Sequence, residues 1–407
     1  MRGFRGWLLG IVAVGVALRL VHVLAIAPST AIFSDGFFFH WVGKAVADGH
    51  GYVNPAELFF KGNSVPTATH PPLYTLVIAA ATKLGITGDE AQRSLGCIFG
   101  AGTIAVIGLL GRRVAGPRAG LVAAAIAACY PLLIAADGAL MSETLYSLLI
   151  GLALIAAYRV RDDPGWRRAA VLGVVIGLAA LTRAEALLLL PLLALPAAWR
   201  RWRLLGAVVL ATVVVVAPWT VRNWTTFDRP VLISTNDGVT LAGSNCAATY
   251  HGRDLGSFDT GCIGPARFPA NEARQAAQYR SDATSYAGDH LGRVPVVIGA
   301  RILRVWGLYQ PTRLAYDAQN RRLAVQEAGV LFSYALIPFA VFGAVMLRRR
   351  GEPLFVLLAP VLLVTITCAL TYGGLRLRQA AEVPLVVLAA TGMVAAWERW
   401  RGLRSPA

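Results

Sequence analysis

Apolar runs recur along the whole chain, and clusters of arginine fall between them: Arg112, Arg113 and Arg118, then Arg159, Arg161, Arg167 and Arg168, then Arg200, Arg201 and Arg203, then Arg348, Arg349 and Arg350. This punctuation constrains the fold more than any other feature. A segment needs about 20 apolar residues to cross about 30 Å of hydrocarbon, and there the backbone must satisfy its own hydrogen bonds, as only helices and closed barrels do. Hydrophobic residues make up 56% of the chain and charged residues 15%, against about 25% charged in ordinary soluble domains. The expected fold class is therefore an all-α polytopic membrane protein. A net charge of +16 would suit nucleic acid if it formed a surface patch. Because the arginines fall between apolar runs, they fix orientation instead, and nucleic acid is excluded as a partner.

Residues 7–27, preceded by Arg2 and Arg5, form the first expected span, with the N-terminus in the cytoplasm. Arg19 and His22 interrupt this run, and its apolar part is too long for a secretion signal. Residues 71–86 and 95–110 raise a parity problem, since two full crossings would place Arg112, Arg113 and Arg118 outside, against the positive-inside rule. The first of these, short and carrying Pro71, Pro72 and Lys83, is expected to lie at the outer interface, and only the second crosses. Crossings then follow at 121–136, 142–158, a short hairpin of 171–181 and 187–198, and 204–221, with 331–347, 354–370 and 383–397 closing the chain. The total is about ten spans. Residues 294–309, with Arg301 and Arg304, suit a helix lying along the outer surface. The expected organisation is 1–221 as a transmembrane catalytic module with a first outer loop at 28–91, 222–325 as an outer-face loop and interfacial helix, and 326–407 as C-terminal spans and cytoplasmic tail.

No repeat, nucleotide-binding glycine loop or metal-type cysteine spacing is visible. Cys97, Cys129 and Cys368 fall in spans, whereas Cys246 and Cys262 share an outer loop, where an oxidising compartment favours a disulfide. The same topology brings Asp35, His70, Asp137, Glu143, Arg183, Glu185, Arg222, Arg376 and Arg378 to the outer face. Carboxylates beside arginines at a lipid surface suit a reaction whose leaving group is a phosphate, because arginine meets phosphate with a permanently charged planar fork. A carboxylate can take the proton of an acceptor hydroxyl. Each residue also has an ordinary reading: Asp35 as cap of a helix starting at Gly36, His70 as a turn residue, Glu143 as a first-turn carboxylate, and Arg183 or Arg222 as headgroup anchors.

Several strings carry a resemblance: Asp35 with Ala45, Gly49 and Gly51-Tyr52, then His70-Pro71-Pro72-Leu73-Tyr74, Gln92-Arg93-Ser94, Ser142-Glu143 and Leu181-Thr182-Arg183. Ala217-Pro218-Trp219-Thr220-Val221-Arg222-Asn223, followed by Ser234-Thr235-Asn236 and Gly243-Ser244-Asn245, is the most specific part. Over nearly its whole length the chain resembles the GT-C glycosyltransferases that use polyprenyl-phosphate sugars, especially the bacterial branch related to protein O-mannosyltransferases and the lipid A aminoarabinose transferase.

The resemblance implies a multi-pass protein of the plasma (inner) membrane with an active site facing the periplasm or exterior. It implies Asp35 as catalytic base, with His70, Glu143, Arg183, Arg222, Arg376 and Arg378 in substrate binding. Relatives place a polar, sometimes metal-contacting residue at the position of His70, and an acidic one at Glu143, so a divalent metal ion is a candidate cofactor. Many relatives carry an Asp-Glu pair where this chain has Asp35-Gly36, which weakens that expectation. The implied partners are a polyprenyl-phosphate-linked sugar donor, a lipid, glycan or protein acceptor, and membrane lipids. A transporter or lipid flippase is the alternative from another class, and a non-catalytic scaffold of the same fold is a third. Transporters commonly carry inverted repeats, and none is visible.

Overall fold

The computed structural model describes residues 2–32, 34–268, 271–311 and 320–402. The last five residues of the expected cytoplasmic tail lie outside them. Helix dominates, and among the described residues extended backbone pairs only in the isolated bridge of Val53 with Pro66.

Helix α1 (Arg2–Ala25) leads into α2 (Asp35–Ala47), α3 (Pro55–Lys61) and α4 (Pro72–Lys83). Local chemistry sets these boundaries. The Asn54 side chain accepts from the N–H groups of Ala56 and Glu57, Pro55 needs no donor of its own in the first turn, and Gly62 at φ 70° ends α3. Next come α5 (Asp89–Ala115), α6 (Pro117–Cys129), α7 (Pro131–Asp137) and α8 (Glu143–Asp162). Asp89 and Glu90 open α5 and Arg112 and Arg113 close it, each sign opposing the helix dipole. Pro131 breaks the ladder between α6 and α7, which meet at 58°.

Helix α9 (Trp166–Ala180) and the irregular α10 (Ala184–Ala197) form a hairpin, followed by α11 (Trp202–Thr226). The large loop holds α12 (Asn236–Ser244), α13 (Ala247–Tyr250), α14 (Glu272–Asp289) and α15 (Val294–Val305). Helices α16 (Leu323–Arg349), α17 (Leu354–Leu370) and α18 (Gln379–Trp400) complete the bundle. Cys246 and Cys262 are joined by a disulfide within that loop.

By length and composition six helices among the described residues are able to cross a membrane, and a seventh if the bent α6–α7 pair is one span. This is fewer than the expected ten, because α10 and α17 are shorter apolar rods and α9 has 15 residues, about 23 Å at 1.5 Å per residue. Helix α4, with 12 residues, is likewise far short of about 30 Å. Apolar side chains of α1 and α11 lie mostly on the outside, whereas α8 and α18 are enclosed. Helices α16 and α18 approach at Gly343 and Gly392: a Cβ on Gly343 would stand 2.0 Å from the Leu388 carbonyl oxygen, and one on Gly392 2.0 Å from that of Phe339. Small residues permit this contact, which in lipid replaces hydrophobic driving force.

Cross-chain pairs show which ends lie together. Arg113 reaches Asp162 at 2.7 Å and Glu352 at 3.5 Å, and Arg118 reaches Glu398 at 3.4 Å, so the arginine clusters at 112–118, 159–168 and 348–350 share one end of the bundle. The opposite end carries α2 to α4, the large loop and the turn before α18.

Candidate active site

Asp35 stands in the first turn of α2, and the cap is Ser34, whose Oγ accepts from the Phe37 N–H at 3.3 Å. The capping role is therefore filled without Asp35. The buried Phe37, Phe38 and Phe39 fasten α2 to its surroundings. His70 lies against Phe38 and Phe39, with ring centroids 4.7 and 5.1 Å away, and its Nε2 is 3.6 Å from Asp35 Oδ1. Arg376, in the turn Leu375–Arg378, donates from Nη1 to Asp35 Oδ2 at 2.7 Å and from Nε to the Tyr372 hydroxyl at 3.1 Å. Burial pushes the Asp35 carboxyl up, but the Arg376 charge and then His70 outweigh it and hold the group well below the usual carboxylate range.

The tip of the α9–α10 hairpin supplies a second guanidinium. Arg183 donates from Nε to Glu185 Oε1 at 2.6 Å and from Nη1 to Glu143 Oε1 at 3.1 Å. Glu143 is buried at the start of α8, with Arg321 Nη2 at 3.9 Å from the same oxygen. Its Oε2 is buried and has no hydrogen-bond partner among the described residues. Asp35, His70, Arg183, Glu185 and Arg376 line one cavity of about 240 Å³, joined by Ser142, Ser234, Asn236, Thr371 and Tyr372. Glu143 lies behind Arg183 and sets its direction.

Two expected members stand elsewhere. Arg222 donates to the carbonyls of Thr67 at 2.8 Å and Tyr52 at 3.0 Å and lies over the Trp219 ring at 4.8 Å. It fastens the first loop to the end of α11 and does not line the cavity. Arg378 is completely buried, with Nε 2.5 Å from Glu382 Oε1 and Nη2 3.3 Å from the Tyr130 hydroxyl, within the packed start of α18. Asp137, also expected at the face, is buried against Arg19 at 2.6 Å.

Residues 69–224 match the profile of a family described as dolichyl-phosphate-mannose-protein mannosyltransferase. Among solved structures, the archaeal oligosaccharyltransferase AglB from Archaeoglobus fulgidus, in complex with an inhibitory peptide and a dolichol-phosphate, superposes with a TM-score of 0.54 at 15% identity. The superposition takes in 98% of this chain and 52% of that one. The apo form of the Archaeoglobus fulgidus oligosaccharyltransferase gives 0.55 at 14% identity, over 99% of this chain and 52% of that one. The chain shares the fold of these structures. It spans about half the length of the oligosaccharyltransferase. ArnT from Cupriavidus metallidurans bound to undecaprenyl phosphate is also similar, with a TM-score of 0.43 at 15% identity over 96% of this chain and 78% of that one. No curated protein sequence matches the chain.

His70, Glu143, Arg183 and Arg222 fall inside the matched segment, while Asp35 and Arg376 fall outside it. The cavity is thus assembled across the chain by the fold. Among the described residues no three His, Cys, Asp or Glu side chains converge to hold a divalent metal ion. One oxygen of Asp35 already faces Arg376 and one of Glu143 faces Arg183. Sequence reasoning did not single out Arg321, Tyr372 or Asn236 as site residues. Asn236 stood within a family-like string, but neither of the others belongs to a local pattern that marks it.

Proposed function

We propose that this protein is an integral membrane glycosyltransferase that moves a sugar from a polyprenyl-phosphate donor to an acceptor hydroxyl, with Asp35 as general base. The observation that carries the reading is one cavity holding a carboxylate kept ionised and two guanidiniums from separate elements. The family description naming dolichyl-phosphate-mannose and the dolichol-phosphate in the AglB structure support a polyprenyl-phosphate carrier.

The acceptor oxygen forms a bond to the anomeric carbon on the face opposite the phosphate, so configuration inverts. As the bond between that carbon and the phosphate oxygen breaks, its electron pair leaves with the polyprenyl phosphate, and the hydroxyl proton passes to Asp35. A carboxylate held far below the usual range is a weak base while Arg376 grips it. When carrier phosphate enters, Arg376 is shared with it, and Asp35 regains basicity as its partner turns away. Arg183, already oriented by Glu143 and Glu185, meets the charge developing on the leaving group, in the manner of preorganised electrostatic catalysis. His70 supports the second oxygen of Asp35. The arginine clusters at the opposite end favour the cytoplasmic side, which supports the reading of a cavity at the outer face of the plasma (inner) membrane.

Purified protein in liposomes, given a panel of radiolabelled polyprenyl-phosphate sugars and membrane extract as acceptor, tests this reading. Label on acceptor material is expected with wild type and not with Asp35→Asn. Label carried across the bilayer unchanged would establish transport, and neither outcome would leave a non-catalytic scaffold.

A further inference from the structure

Beside the Asp35 cavity lies a second one of about 360 Å³, between the first loop, the end of α11 and helices α12 and α14. Two chain segments form the wall between them. The Thr235 N–H donates to the Ala68 carbonyl at 3.0 Å and Ser234 Oγ to the Thr69 carbonyl at 2.5 Å. His70 and Ser234 face the first cavity, while their neighbours Thr69 and Thr235 face the second. Asn236 lines both; its backbone N–H donates to Ser234 Oγ at 3.1 Å, and among the described residues its side-chain amide has no protein partner.

Charge separates the two cavities. The first is lined by Arg183 and Arg376, whereas among the described residues no arginine or lysine lines the second. The carboxylates of the second are already balanced or saturated: Glu57 by Lys61 at 2.8 Å, Asp228 by Arg274, and Glu272 by the Thr67 hydroxyl at 2.5 Å, the Ala68 N–H at 2.9 Å and the Thr235 hydroxyl. An anionic ligand meets no cationic side chain among the described lining residues, and a cationic one finds no carboxylate unengaged. One polar group does await a partner. Gln275 is only 8% exposed, its Oε1 accepts from the Phe268 N–H at 2.8 Å, and its Nε2 is buried with no partner among the described residues. A buried amide left unpaired is costly unless a ligand supplies the acceptor. The half-exposed Phe268 ring offers an apolar face beside it.

We propose that this second cavity binds the acceptor and that the acceptor is an uncharged, polyhydroxylated glycan; the inference rests on the glycosyltransferase reading above. Sugar hydroxyls donate and accept at once, which suits the unpartnered Nε2 of Gln275 and the side-chain amide of Asn236, and the C–H face of a sugar ring packs on an aromatic ring. A chain seated there passes over Asn236 and presents its terminal hydroxyl to Asp35.

The test is direct binding, with no transfer required. Full-length protein in nanodiscs is applied to an array of neutral oligosaccharides, uronate-containing oligosaccharides, and neutral and Lys/Arg-rich peptides. Neutral oligosaccharides are expected to be retained, with affinity falling at least tenfold in Gln275→Met, which keeps side-chain volume and loses the amide. Phe268→Ala serves as a second variant should the first fail to fold. Both are expected to bind undecaprenyl phosphate as wild type does. Preferential retention of peptides or uronates, or unchanged glycan affinity in both folded variants, overturns the proposal. Gln275-dependent glycan binding without transfer from any donor leaves the glycan site standing and removes the transferase reading, and with it the site's role as an acceptor site.

Discussion

Asp35→Asn separates chemistry from architecture, because the two roles of this residue respond differently to the loss of one charge. Unit charges 2.7 Å apart, the distance from Arg376 Nη1 to Asp35 Oδ2, attract by about 6 kcal/mol at an effective dielectric of 20. Most of that is offset by the desolvation of both groups, and the Asn oxygen still accepts a hydrogen bond from Arg376. The net cost to stability is therefore about 1.5–3 kcal/mol, the range for a hydrogen bond to a charged group. Ser34 keeps capping α2, so the helix start is unaffected. Removal of a general base costs about 10²–10⁴ in rate, or about 2.7–5.4 kcal/mol of barrier. The assay compares single-turnover transfer from a radiolabelled polyprenyl-phosphate sugar, thermal melting in detergent, and binding of undecaprenyl phosphate. Transfer is expected to fall at least a hundredfold with carrier binding retained. A variant that melts near wild type and transfers at the wild-type rate would refute the assignment and leave Asp35 as an anchor for Arg376.

Three further outcomes follow from the geometry. Because the folded-state pKa of Asp35 is depressed below 3.8, its ion pair stabilises fully above about pH 5 and is lost as pH falls through 3.8 and below; the melting difference between the His70→Gln variant and the same variant also carrying Asp35→Asn should stay constant from pH 8 to pH 5 and shrink only at lower pH. Arg376→Lys should slow transfer about tenfold or more by losing the fork, whereas Arg378→Lys, two residues on, should lower thermal stability by about 1–3 kcal/mol through its buried bonds to Glu382 and Tyr130; kinetics and melting curves of the pair distinguish the two roles. Non-reduced peptide mapping should recover Cys246 linked to Cys262, 16 residues apart, and replacing both with Ser should cost about 3 kcal/mol in the chain-entropy account.

The helical class and the shared end of the arginine clusters were legible in the sequence, because apolar length and basic punctuation act through the bilayer itself. The number of spans was not. Helices α9, α10 and α17 are apolar but short, and an apolar run says nothing of how deeply its neighbours enclose it. Asp35, His70, Arg183 and Arg376 were readable as polar residues at one face, and the fold brings these four to one cavity. Arg222 and Arg378 have the same chemistry and the same end of the bundle, yet their guanidiniums turn into the protein: Arg222 to the carbonyls of Tyr52 and Thr67, Arg378 to Glu382. Spacing cannot reveal this, since the partners of Arg222 lie 155 and 170 residues away. Arg321 went unnoticed for the same reason, its partner Glu143 lying on α8.

The most direct measurement is an experimental structure of the wild-type protein with undecaprenyl phosphate. The account places the phosphate in the Asp35 cavity within hydrogen-bond reach of Arg376 and Arg183, with Asp35 beside it and open to an acceptor hydroxyl. A phosphate held at Arg222 or among the arginine clusters of the opposite end, with the Asp35 cavity empty, would contradict it.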